Sequence, residues 1–227
     1  GVLDVATISF LSGCTVLTMS CYSVYKAKRS GESLIDMKIG TPLAIGAAVG
    51  GVVGKWMFQM VSSMFADKNM VGAVQAACLL VITLGTLIYT IYKEKIHTKH
   101  LVNFMVCLLV GLVLGIMSSF LGIGGGPINL VVLFYFFSMD TKAAAQNSLY
   151  IILFSQITSF LQTVLTGKVP AFPIMALVIM VFGGLMGGFC GRIINKKMDS
   201  KMVDKLFICL MVVIIGINCY NIYKFIG

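Results

Sequence analysis

Gly122-Ile123-Gly124-Gly125-Gly126-Pro127-Ile128-Asn129-Leu130 places four glycines in five positions ahead of a proline, inside an apolar run from Leu101 to Phe137. Glycine is costly in a helix and proline normally ends one. A chain that is 59% hydrophobic, 11% charged and has a mean hydropathy of +0.99 needs a physical reason to break its backbone there. That composition exceeds what a soluble domain carries, and the runs are long enough for helices crossing a hydrocarbon core about 30 Å thick. Outward from the break, hydropathy predicts helices at about 5–25, 39–64, 70–92, 101–121, 142–166, 171–194 and 202–225, with a short one at 127–138. The expected fold is all-α, a polytopic helical membrane protein.

The basic residues orient these spans. Twelve of the 17 fall in the loops at 26–38, 93–100 and 192–205 and a thirteenth is Lys142, whereas Lys55, Lys68, Lys168 and Lys224 fall on the other side. The rich side is predicted to be cytoplasmic, in a multi-pass protein of the cell membrane. The net charge of +9 is then a topology signal, and nucleic acid is not an expected partner. The lipid bilayer is. If Leu101 to Phe137 were one broken crossing, Arg192 to Lys205 would lie outside, so the segment must enter and return. Its return arm, Pro127 to Ser138, reaches only about 18 Å, short of a span. A glycine-broken intramembrane helical hairpin is the expectation.

Two stretches resemble each other at a distance. Ala6-Thr7-Ile8-Ser9-Phe10 matches Ala145-Gln146-Asn147-Ser148-Leu149, and Gly50-Gly51-Val52-Val53-Gly54-Lys55 matches Gly187-Gly188-Phe189-Cys190-Gly191-Arg192. The intervals agree within two residues, and the loop charges give the copies opposite directions, the pattern of an inverted-topology repeat. The predicted organisation is a first repeat at 1–92, a cytoplasmic linker at 93–100 and a second repeat at 101–227. By the same offset the first copy's glycine-rich hairpin would precede Gly1, so about 35 residues are expected upstream.

Gly124, Gly125 and Gly126 can turn the backbone without placing a side chain between main-chain amides and a ligand. Pro127 suits the first turn of the helix that follows. Bare amides at a helix N-terminus attract anions, and non-helical backbone at membrane depth is tolerated where it lines a cavity. Tight helix packing is the competing use of such glycines. Near the break stand Ser118, Ser119 and Asn129, then Gln146, Asn147 and Ser148, with Thr7 and Ser9 as repeat mates of Gln146 and Ser148. They suit neutral donation to an oxyanion, or bonding between helices. Lys55 and Arg192 occupy matched positions near opposite faces, suited to snorkelling or to drawing anions into two vestibules. Gly46, Gly50, Gly54 and Gly183, Gly187, Gly191 recur every four residues, as close helix contact requires.

The seven cysteines lie in apolar runs without disulfide or zinc spacing and read as small buried hydrophobes. His97 and His100 sit in a lysine-rich connection. All eight carboxylates lie in loops or at span ends. No cofactor, metal site or catalytic constellation is expected, and the chain does not read as an enzyme.

The run GIGGGP, the following Ala-Gln-Asn-Ser-Leu and the small-residue helix before a basic loop resemble the sulfite exporter TauE/SafE family of anion permeases, over essentially the whole chain. Members commonly begin with a glycine-rich segment of the same kind, and this chain departs from them there. The resemblance implies a secondary transporter of sulfite, sulfoacetate or other organosulfonates, working by alternating access on a small anionic substrate. A passive anion channel and a membrane assembly factor are the alternatives. Substrate identity, direction, coupling ion and homo-oligomerisation stay open.

Overall fold

The computed structural model describes residues 5–65, 68–122 and 125–226. Among them are eight α-helices: α1 (Val5–Arg29), α2 (Met37–Met64), α3 (Lys68–Tyr92), α4 (Phe104–Leu121), α5 (Gly126–Phe137), α6 (Thr141–Leu165), α7 (Ile174–Lys197) and α8 (Ser200–Ile226). Seven are long and apolar enough to cross a membrane, and α5, at 12 residues, is shorter. The chain is thus an all-α, multi-pass membrane protein.

Local chemistry explains where helices depart from the hydropathy windows. Helix α1 runs past residue 25 to Arg29 because Lys26, Lys28 and Arg29 occupy its last turn, where cations meet the negative end of the dipole. Helix α4 starts at Phe104, since Asn103 accepts from the Met105 amide at 2.9 Å as an N-cap. Upstream, the amides of Lys99 and Leu101 donate to the carbonyls of Tyr135 and Phe136 at 2.7 and 3.0 Å. The end of α5 therefore returns to the level at which the α4 segment begins. Helix α7 starts at Ile174 because Pro173 stands at its N-cap.

Helices α2 and α4 pack backbone against backbone. A methyl carbon on Gly46, Gly50 or Gly54 would fall 2.1, 2.1 or 2.3 Å from the carbonyl oxygens of Leu108, Leu112 and Ile116. Reciprocally, one on Gly111 or Gly115 would meet the carbonyls of Leu43 and Ala47 at 2.2 and 2.4 Å. Close contact is the expected use of such spacing. On α7 the working glycines are displaced by one: Gly184 and Gly188 face Thr15 and Met19 of α1, while Gly183, Gly187 and Gly191 meet nothing within 4 Å among the described residues. The register of a four-residue spacing is free by one position when a second such series lies beside it.

An apolar cluster joins α2, α4, α5 and α6 near the basic face through Leu43, Ala47, Cys107, Leu133 and Ile151. Helix α2 also packs on α6, α1 on both α6 and α7, and α3 on α8. Of the cysteines only Cys107 is buried; Cys21, Cys190, Cys209 and Cys219 are exposed, correcting the reading that all are buried. Exposure on an apolar span means contact with hydrocarbon, where a thiol is at no disadvantage.

Candidate functional site

The backbone break is built from left-handed residues. Gly122 closes α4 at φ +71°, its amide donating to the Ser118 carbonyl, and Gly125 opens α5 at φ +65°. Side-chain-bearing residues adopt this region with difficulty. Space is short as well: a methyl on Gly122 would lie 2.8 Å from Ser9 Oγ. Gln75 of α3 donates to the Phe120 carbonyl at 2.8 Å, satisfying one of the carbonyls that the end of α4 leaves open. Gly124 lies outside the described residues. Gly126 is half-buried with nothing among the described residues against its open face, and Asn129 is wholly buried.

Beside the break lies a small inner pocket of about 20 Å³, room for about one water. Ser9, Lys55, Ser119, Gln156, Ser159 and Thr163 supply its polar lining. Ser119 and Ser155 share a hydroxyl hydrogen bond at 3.2 Å, and the Gln156 amide donates to Ser118 Oγ at 3.4 Å. A wider vestibule of about 290 Å³ adjoins it, reaching Gln59, Ser62, Lys168 and Pro170 at the less basic face. Lys55, Phe10 and Thr163 line both cavities. Phe10 packs against Phe160 and Phe172, with ring centroids 6.1 and 5.4 Å away.

Lys55 is the charged group of this junction. It is 8% exposed, its ammonium lies 5.3 Å from the Phe58 ring centroid, and it forms no ion pair among the described residues. A buried ammonium is costly without an anionic partner. Its sequence mate Arg192 has a different setting: it donates to Glu32 Oε2 at 2.7 Å and to Ser30 Oγ, and Lys196 meets Glu32 Oε1 at 2.6 Å. Lys196 first and Arg192 second hold the Glu32 carboxyl down at about 2, well below the usual carboxylate range.

The polar residues of α6 divide between two places. Gln146 accepts from the Leu34 amide at 2.8 Å and donates to the Glu32 carbonyl at 3.2 Å, and Asn147 donates to the Leu34 carbonyl at 3.1 Å. Both fasten the loop between α1 and α2 at the basic face, with Ser148 buried beside them. Thr7 is also buried and donates to the Ala171 carbonyl at 3.3 Å. The structure therefore gathers Ser9, Lys55 and Ser119 around one pocket, sets Gly125 and Asn129 beside Ser118 at its edge, and places Gln146, Asn147 and Arg192 elsewhere. Sequence reasoning missed Gln156, Ser159 and Thr163. The available signal was the polar series Ser155, Ser159, Thr163, every four residues along an apolar span.

The family model described as "Sulfite exporter TauE/SafE" matches residues 2–218. The chain belongs to the TauE/SafE family. It is therefore a membrane transporter and not an enzyme, and among the described residues no group of histidine, cysteine or acidic side chains could hold a metal ion. This TauE/SafE chain is also similar to "Probable membrane transporter protein YunE" of Bacillus subtilis (strain 168), at 25% identity over 206 residues, covering 84% of this chain and 71% of that one. No solved structure matches it.

Proposed function

We propose that this chain is a secondary transporter of small sulfur-containing anions, sulfite or organosulfonates, operating by alternating access between inverted repeats. The observation that carries the reading is Lys55: a buried cation without an ion pair among the described residues, at the junction of a wide vestibule and a small pocket lined by four hydroxyls and the Gln156 carboxamide. Such a site matches an oxyanion entering from the less basic, external face. The narrowing from a vestibule of about 290 Å³ to a pocket of about 20 Å³ favours a carrier over an open channel.

Packing supports the repeat. Gly51 of α2 faces Thr158 of α6, while Gly188 of α7 faces Met19 of α1. The sequence offsets make these two contacts mates of one another. Burial of Asn129 and the return of α5 to the level of Lys99 support a hairpin turning within the membrane. The basic face, with Arg192 locked to Glu32, is then cytoplasmic.

Counterflow in proteoliposomes tests this. Preloaded sulfite should drive transient accumulation of labelled sulfite, which a channel cannot produce. Lys55→Gln should weaken binding by roughly 2 kcal/mol or more, at least about thirtyfold, while Lys55→Arg retains function. Full activity in Lys55→Gln overturns the assignment.

A further inference from the structure

Asn129 holds a second unmatched feature. Its backbone amide bonds to the Gly125 carbonyl at 3.0 Å, and its side chain reaches back so that Oδ1 lies 3.4 Å from where a methyl on Gly125 would stand. The residue is 0% exposed, and among the described residues neither Oδ1 nor Nδ2 has a hydrogen-bond partner. Two orphaned polar atoms on one buried carboxamide are a substantial cost unless a ligand meets them. Asn129 does not itself line the pocket above but stands next to it: Gln156 lines the inner pocket and bonds Ser118, whose side chain stands 3.3 Å from the same position on Gly125.

A carboxamide oxygen only accepts and its nitrogen only donates. A fully ionised oxyanion offers acceptors alone, so it would satisfy Nδ2 and leave Oδ1 facing negative oxygens. An oxyanion carrying one hydroxyl satisfies both atoms. Charge balance points the same way. The titratable groups lining the inner pocket are Cys14 of α1 and Lys55 of α2, with none from α4 or α6. One ammonium neutralises a monoanion, whereas a dianion would leave net charge buried at low dielectric.

Resting on the anion-carrier reading, we propose that the site takes its oxyanion in the singly charged, hydroxyl-bearing form, with Lys55 balancing the charge and Asn129 both donating to one oxygen and accepting from the hydroxyl. The anion then brings its own proton. This fits a chain whose described acids all lie in loops or in the first two turns of a helix, such as Asp36, Asp140 and Asp204.

Calorimetric binding to the purified protein tests this with two probes: sulfite, titrated across its second ionisation, and methanesulfonate, a monoanion without a hydroxyl that does not titrate there. Sulfite affinity should fall about tenfold per pH unit above that ionisation, following the hydrogen sulfite fraction. Methanesulfonate should bind about tenfold or more weaker, with no such dependence, since it reports only the protein's own titration. Asn129→Leu, which removes the donor as well as the acceptor, should bring hydrogen sulfite to the methanesulfonate level or below it. In the wild type, sulfite affinity indifferent to pH, or methanesulfonate binding as tightly as hydrogen sulfite, overturns the proposal while leaving a Lys55-dependent anion site standing. Failure of both probes to bind, or binding unchanged in Lys55→Gln, overturns the carrier reading and this proposal together.

Discussion

Gly50 and Gly187 hold matched positions in the two similar stretches, yet alanine should act on them in opposite directions. At Gly50 the new carbon would sit 2.1 Å from the Leu112 carbonyl oxygen and 2.9 Å from the Ile116 nitrogen. Carbon–oxygen contacts relax near about 3.3 Å, so α2 and α4 must part by roughly 1 Å. A gap of that size forfeits about a quarter to a half of each dispersion contact it opens. Overpacking of this kind costs about 1–3 kcal/mol. Against it stands the helix-propensity gain of Gly→Ala, about 1 kcal/mol. At Gly187 nothing among the described residues lies within 4 Å, so only the gain remains. The two variants should differ by about 1–3 kcal/mol, which for a chain of this size separates their melting temperatures by about 2–12 °C. Far-UV circular dichroism of the detergent-solubilised proteins on heating measures this. Equal melting temperatures, or a lower one for Gly187→Ala, would refute the reasoning.

Two further outcomes are expected. Glu32 is depressed to about 2 in the folded protein from a usual 4.5, so its contribution to stability is fully present above about 4.5 and is lost as pH falls toward 2. Thermal unfolding across that window should show the loss in wild type and not in Glu32→Gln; parallel curves would remove the Glu32–Arg192–Lys196 cluster from the stability of the basic face. Single cysteines introduced at Ser33 and Ser200 into an otherwise cysteine-free background should react with impermeant maleimide only from the cytoplasmic side, and labelling of either from outside intact cells would reverse the orientation.

Hydropathy and the glycine cluster foreshadowed eight helices, because burial in lipid is a property of whole runs and needs no knowledge of partners. The helix ends shifted where a local cap decided them, at Arg29, Asn103 and Pro173. The site was legible only in part. That Asn129, Ser119 and Ser9 stand near the break followed from proximity to GIGGGP and from the repeat. That Gln146 and Asn147 hold the loop at Glu32 and Leu34 depends on contacts more than 110 residues apart in sequence, which no local pattern encodes. Lys55 and Arg192 looked equivalent as sequence mates. What separates them is the neighbour across the gap: a carboxylate for Arg192, and hydroxyls and aromatic rings for Lys55.

The glycine seam between α2 and α4 has a mechanical meaning. It joins a helix of the 1–92 segment to one of the 101–227 segment over three turns, with main chains too near for any side chain to intervene. Contacts of that sort have no rotamers to rearrange and no slack to take up, so the pair acts as a single strut. On the carrier reading proposed above, α2 and α4 move together and carry the pocket wall at Lys55 and Ser119 as one surface.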